Sequence, residues 1–126
     1  MRLEICIDVD DVDGAVEFYG RGLGLEIQKH EKDWAKAALG EQVFWIMKIA
    51  PGPSGAISRD YRRHWTPIHL DLHVDDIDTA VNRALAAGGK LDSEIERRAD
   101  GSALANLADP AGNGIDLFQP AKSQLQ

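Results

Sequence analysis

A single cysteine, Cys6, leaves no intramolecular disulfide to form and fits a reducing compartment. No apolar run approaches the ~20 residues that a membrane-spanning helix needs. Residues Met1 to Asp8 alternate apolar with charged, unlike the continuous apolar centre of a secretory leader. These shortages predict a cytoplasmic protein with no membrane partner. Positive charge is scarce as well: 14 Lys and Arg against 21 Asp and Glu leave a net charge of −7. Nucleic-acid binding depends on cations that neutralise phosphates, so that partner class is not expected. Low-complexity tracts are absent, and 126 residues with 44% hydrophobic content suit one globular domain over 1–126.

What is present is a repeat. Glu4-Ile-Cys-Ile-Asp-Val-Asp-Asp-Val-Asp-Gly-Ala-Val returns as His69-Leu-Asp-Leu-His-Val-Asp-Asp-Ile-Asp-Thr-Ala-Val, 65 positions later. Each copy alternates apolar and polar residues, the period of a half-buried strand. Each then runs through Asp residues able to cap a helix, Asp11 or Asp13 in the first copy and Asp76 or Asp78 in the second. Glycines at 20, 22 and 24, and at 88 and 89, mark the helix ends. Strand candidates follow at 25–27, 34–39 and 43–49, and again at 90–95, 103–108 and 114–119. The spacing predicts a βαβββ module over 1–50, a connecting segment over 51–67, a second βαβββ module over 68–120 and a tail over 121–126. In the connection, Arg59, Arg62, Arg63 and His64 interleave with Tyr61 and Trp65. This cluster reads either as a solvated loop or as an anion-binding lip or subunit contact.

Strand alternation sets Glu4, Cys6, Asp8, His69, Asp71 and His73 opposite the aliphatic faces that pack under the helices. So many ionisable groups are not accepted unpaired in a core, so this face is either wet or holds something. Cys6 has no Cys or His partner at zinc-motif spacing. The run Asp8 to Asp13 lacks the Gly and distal Glu of a calcium loop.

The chain resembles the vicinal oxygen chelate superfamily of glyoxalases, bleomycin-resistance proteins and extradiol dioxygenases. The likeness rests on Val9-Asp-Asp-Val, Phe18-Tyr19, Leu23-Gly24-Leu25, His69-Leu-Asp-Leu-His-Val-Asp-Asp-Ile and Asp109-Pro-Ala-Gly-Asn-Gly-Ile-Asp-Leu. It implies an α+β fold in which two βαβββ modules form an open, curled mixed-sheet barrel, commonly completed by a second subunit as a homodimer. Carried over by position, the metal sites of such proteins fall on Glu4, about Trp45, His69 and Asp116. Glu4 and Asp116 depart from the usual His and Glu, and Trp45 cannot coordinate an ion.

One imidazole and two carboxylates make a three-donor set for a divalent ion such as Mn, Fe, Zn, Ni or Mg. In that reading Glu4, His69 and Asp116 hold metal, and Glu4 or His73 moves a proton during lyase, isomerase or dioxygenase chemistry. Alternatively Glu4 and His69 simply pair in a metal-free cavity that sequesters a small molecule. Trp45, Asp71, Phe118 and Trp65 are the expected ligand-binding residues in either case.

Overall fold

In the computed structural model, which describes residues 1–54, 57–63 and 65–122, the leading strand alternates as its sequence requires. β1 (Glu4–Val9) buries Ile7 and Val9 and leaves Glu4 and Cys6 exposed. α1 (Val12–Glu17) follows and runs directly into a π-helical turn, Phe18–Gly22. β2 (Glu26–His30), β3 (Trp34–Leu39) and β4 (Gln42–Lys48) complete a sheet of order β1-β4-β3-β2. Only β1 and β4 run parallel in it. A short hairpin, β5 (Gly52–Ser54) with β6 (Ile57–Arg59), lies in the connection.

The second half repeats the plan. β7 (Leu70–His73), α2 (Ile77–Ala86), β8 (Lys90–Leu91), β9 (Glu96–Arg97), β10 (Ala103–Ala108) and β11 (Gly114–Gln119) follow in turn. The sheet order is β7-β11-β10-β8, with β9 also on β10 and β7 parallel to β11. The result is an α+β fold of two curled, unclosed mixed sheets.

Two local expectations are corrected, and a third, the α2 cap, narrows to Asp76. The strand expected over 90–95 is two short strands on β10 instead, Lys90–Leu91 and Glu96–Arg97. Asp76 caps α2 through Asp78 and Thr79 N–H, an interaction worth about 1 kcal/mol. Its counterpart Asp11 stands at the α1 cap position but accepts no capping bond there, and Asp13 pairs with His30 at 2.8 Å instead.

The π-turn is where the repeat slips. Asp11 and Gly24 are thirteen residues apart, whereas their counterparts Asp76 and Gly88 are twelve apart. A π-turn absorbs one extra residue without ending the helix. It lets consecutive Phe18 and Tyr19 both bury fully, at 0% and 1% exposure. Phe18 packs so tightly on the second half that a Cβ at Gly89 would lie 2.6 Å from its ring. One continuous apolar core therefore joins residues of both halves, from Val9 and Ile46 to Ile77, Leu107 and Leu117.

A buried polar network ties the same halves together. Tyr19 Oη donates to Asp109 Oδ2 at 2.6 Å. Asp109 also accepts from the N–H groups of Ala111 and Asn113 and from Asn113 Nδ2. Asn113 Nδ2 reaches on to Asp8 O at 3.3 Å. Burial pushes the Tyr19 phenol well above its ordinary value, and the adjacent Asp109 charge adds to the shift.

Candidate metal and ligand site

Pairing of β7 with β11 and of β11 with β10 puts Asp71, Asp116 and Asn106 in one row across the concave face. The next row on that face is His73, Phe118 and Leu104. His69, just before β7, brings Nε2 to 3.1 Å from Asp71 Oδ1 and 3.2 Å from Asp116 Oδ2. Donor atoms of these three residues all lie within 4.8 Å of one another. Asp116 is the most enclosed, its side chain 13% exposed against 34% for His69 and 56% for Asp71.

Asn106 fixes the shape of this group. Its Nδ2 donates to Asp116 Oδ1 at 2.6 Å, which leaves Oδ2 directed at His69. Trp65 meets the His69 ring edge-on, with centroids 5.3 Å apart. Trp65 is itself held by Asp92, which accepts from its indole N–H at 3.2 Å, and by the Arg63 guanidinium over its ring at 4.4 Å. Hydrogen bonds from Arg63 hold the Asp92 carboxyl below its usual range, against a burial effect that raises it. Glycine is required at 114 because the Trp65 ring would lie 2.5 Å from any Cβ there.

Between the free edge of β1 and residues 66–70 lies a cleft of about 320 Å³. Cys6, Asp8, Tyr19, Thr66, His69 and Asn113 line it. Asp8 is partnered there by Arg59, whose Nε donates at 2.8 Å.

The sequence-derived candidates therefore fall into two groups. His69, Asp71 and Asp116 converge, with Trp65 against His69. His73 stands one row away, its ring 5.3 Å from Phe118. Glu4 does not join them. Its carboxylate takes Arg2 at 2.6 Å, and hydrogen bonds from Arg2 and Trp45 lower its pKa. The strand register explains the separation: Cys6 faces Trp45 as Asp71 faces Asp116. Trp45 thus occupies the place of Asp116 in the first half, packed on Trp34 at 5.9 Å and under Lys36 at 5.4 Å.

The sequence reading places one residue of this group in another role and misses a second. Asp71 is expected to touch ligand, yet it supplies the third convergent donor. Asn106 is not anticipated at all; its one signal is an amide in the otherwise apolar strand Ala-Leu-Ala-Asn-Leu-Ala. Of the basic connection, Arg59 pairs with Asp8, Arg63 with Asp92, and Arg62 with Asp60. His64 lies outside the described residues, as do residues 55, 56 and 123–126.

The sequence matches the glyoxalase-like domain family over residues 4–118. The chain belongs to that family, within the vicinal oxygen chelate superfamily. Its fold is shared with a glyoxalase-related enzyme from Fulvimarina pelagi (TM-score 0.73, 17% identity, 95% of this chain and 89% of that one). It is shared too with a glyoxalase/bleomycin resistance protein/dioxygenase family enzyme from Burkholderia phytofirmans PsJN (0.68, 16%, 92% and 95%). Lactoylglutathione lyase from Agrobacterium tumefaciens is a third such structure (0.64, 23%, 94% and 92%). Among curated protein sequences nothing matches. At these identities the solved structures establish the fold of this glyoxalase-like protein and not its chemistry. Among the described residues, no helix is long and apolar enough to cross a membrane.

Proposed function

We propose that this glyoxalase-like protein binds a small oxygen-bearing molecule at a divalent ion held by His69, Asp71 and Asp116. The observation that carries the reading is the convergence of one imidazole and two carboxylates, their donor atoms within 4.8 Å. Donors about 2.0–2.2 Å from an ion stand about 3 Å apart along an edge of its coordination polyhedron. The 3.1 and 3.2 Å separations from His69 Nε2 suit that spacing. A mixed nitrogen and oxygen donor set also suits Mn, Fe, Zn, Ni or Mg. Bound there, the ion would supply Lewis-acid polarisation of a substrate oxygen.

The chain's own residues then have distinct tasks. His69 offers the Nε2 lone pair, its ring braced by Trp65. Asp116 is oriented by Asn106, the arrangement by which outer partners set ligand direction. Asp71, the most exposed of the three, adjusts to the incoming molecule. His73 shares the face and is placed to take or return a proton in lyase, isomerase or dioxygenase chemistry. Glu4 could serve as ligand or base only after leaving Arg2. A homodimer completing the cavity, and a cytoplasmic setting, belong to the same reading.

A titration with Mn²⁺ followed by electron paramagnetic resonance tests it. One ion per chain, lost in His69→Ala, is the expected result, and free Mn²⁺ signal throughout overturns it.

A metal-free sequestering role is the second reading, favoured by the half-buried Trp34 and Trp45 on the concave face. Such rings stack on flat or amphipathic ligands without any catalytic group. Quenching of tryptophan emission by aromatic ligands in metal-depleted protein supports this role, and unchanged emission across a broad panel removes it.

A further inference from the structure

We propose that a separate cleft along the free edge of β7 binds a small monocarboxylate with an apolar body. The cleft has a volume of about 360 Å³, at the lower end of the ~300–1,000 Å³ range of small-molecule sites. Leu23, Leu25, Leu72, Val74 and Leu117 form apolar wall. Leu39 stands at the rim, 47% exposed despite its size.

The lining of this cleft differs from that of the cleft beside β1 because the repeat fails at this point. In the other half Asp109 takes the Tyr19 hydroxyl and Asn113 reaches Asp8 O, so Tyr19, Asn113 and Asp8 line the cleft beside β1. Strand registers make Leu39 the counterpart of Asp109 and Gln42 the counterpart of Asn113. Gln42 Nε2 donates to Leu3 O and Val43 O instead, and the counterpart of Asp8, His73, receives no such bond from it. The β3–β4 turn has only Gly40 and Glu41, whereas 109–113 separate β10 from β11. A shorter turn and an apolar side chain therefore stand beside β7 where the other half has the Asp109 and Asn113 hydrogen bonds.

The chemistry of the lining selects the ligand. Val74 N–H donates to Phe118 O at 2.9 Å. Successive strand residues alternate sides, so the N–H of His73 points out from the free edge. Arg83 supplies the cation: its Nε donates to Arg21 O at 2.5 Å, while its terminal nitrogens lie over Gly24. Among the described residues Arg83 forms no ion pair with a carboxylate. The Asp71 carboxylate, also at the cleft, is turned to His69 on the concave face. An anionic head at Arg83 with a hydrocarbon body between Leu23, Leu72 and Leu117 satisfies both halves of the cleft.

The test is a titration with octanoate, and with octanol as its neutral counterpart, followed by amide chemical shifts in full-length protein. Octanoate is expected to give saturable shifts at Leu23, Leu39, Leu72 and Val74, with Kd below about 1 mM. Octanol and the Arg83→Met variant should each bind about tenfold more weakly, the effect of losing a charge-assisted hydrogen bond. Ala80→Leu, which fills the cleft from α2 and keeps a strong helix former, should abolish the shifts. Equal affinity for octanol, unchanged binding in Ala80→Leu, shifts confined to the concave face, or no saturation would each overturn the proposal.

Discussion

The Tyr19 hydroxyl donates to the Asp109 carboxylate at 2.6 Å, joining the π-turn of one half to the β10–β11 turn of the other. Both groups are buried, at 1% and 2% exposure. Tyr19→Phe keeps the ring and removes one bond to a charged acceptor. It should cost about 1.5–3 kcal/mol, read as a lower urea midpoint with unchanged slope.

The same pair sets an alkaline limit. Its phenol is shifted well above the ordinary 10.0, so the folded chain keeps the proton after the unfolded chain has released it. The stability this contributes is complete below pH 10 and falls as pH rises beyond it. Wild-type stability should therefore decline faster above that point than stability of Tyr19→Phe. Parallel declines would contradict the assignment.

At acidic pH the strap over His69 should loosen. Asp92 is held below its ordinary 3.8 chiefly by hydrogen bonds from Arg63. Its contribution is present above that value and disappears as pH falls through the lowered one. Trp65 emission should shift red in that window in wild type, and Asp92→Asn should show the shifted emission at neutral pH.

Gly112 carries φ of +92°, and a Cβ there would stand 2.8 Å from Tyr61 O. Gly112→Ala combines backbone strain with a backbone clash, and should destabilise the fold by roughly 1–3 kcal/mol in thermal or urea unfolding.

Asn106→Leu leaves the β10 ladder intact but frees Asp116 Oδ1. Loss of such an outer partner typically lowers ion affinity about 10–100-fold. Calorimetric titration with Mn²⁺ should show that drop, with little change in the binding of octanoate at the β7 edge.

Much of this architecture is legible in the sequence because the repeat carries it. The alternation of Ile5, Ile7 and Val9 against Leu70, Leu72 and Val74 fixes two leading strands, and Asp76 is readable as a cap. The site is only half legible. His69 and Asp116 can be picked out by position, but the turn of Asp71 towards them depends on a side-chain orientation that alternation leaves open. Glu4 stands apart from these three for a local reason, since Arg2 and Trp45, its near neighbours in space, satisfy it. The π-turn at Phe18–Gly22 hides in the sequence as one extra residue, and the different lining of the cleft beside β7 as a shorter turn. Both become visible only when the two halves are superposed.

Anomalous diffraction from a crystal soaked in Mn²⁺ measures the proposed ion site directly. A single peak bounded by His69 Nε2, Asp71 and Asp116, and absent in His69→Ala, is the predicted result. A peak at Glu4 without these three residues, or none at all under saturating Mn²⁺, would contradict it.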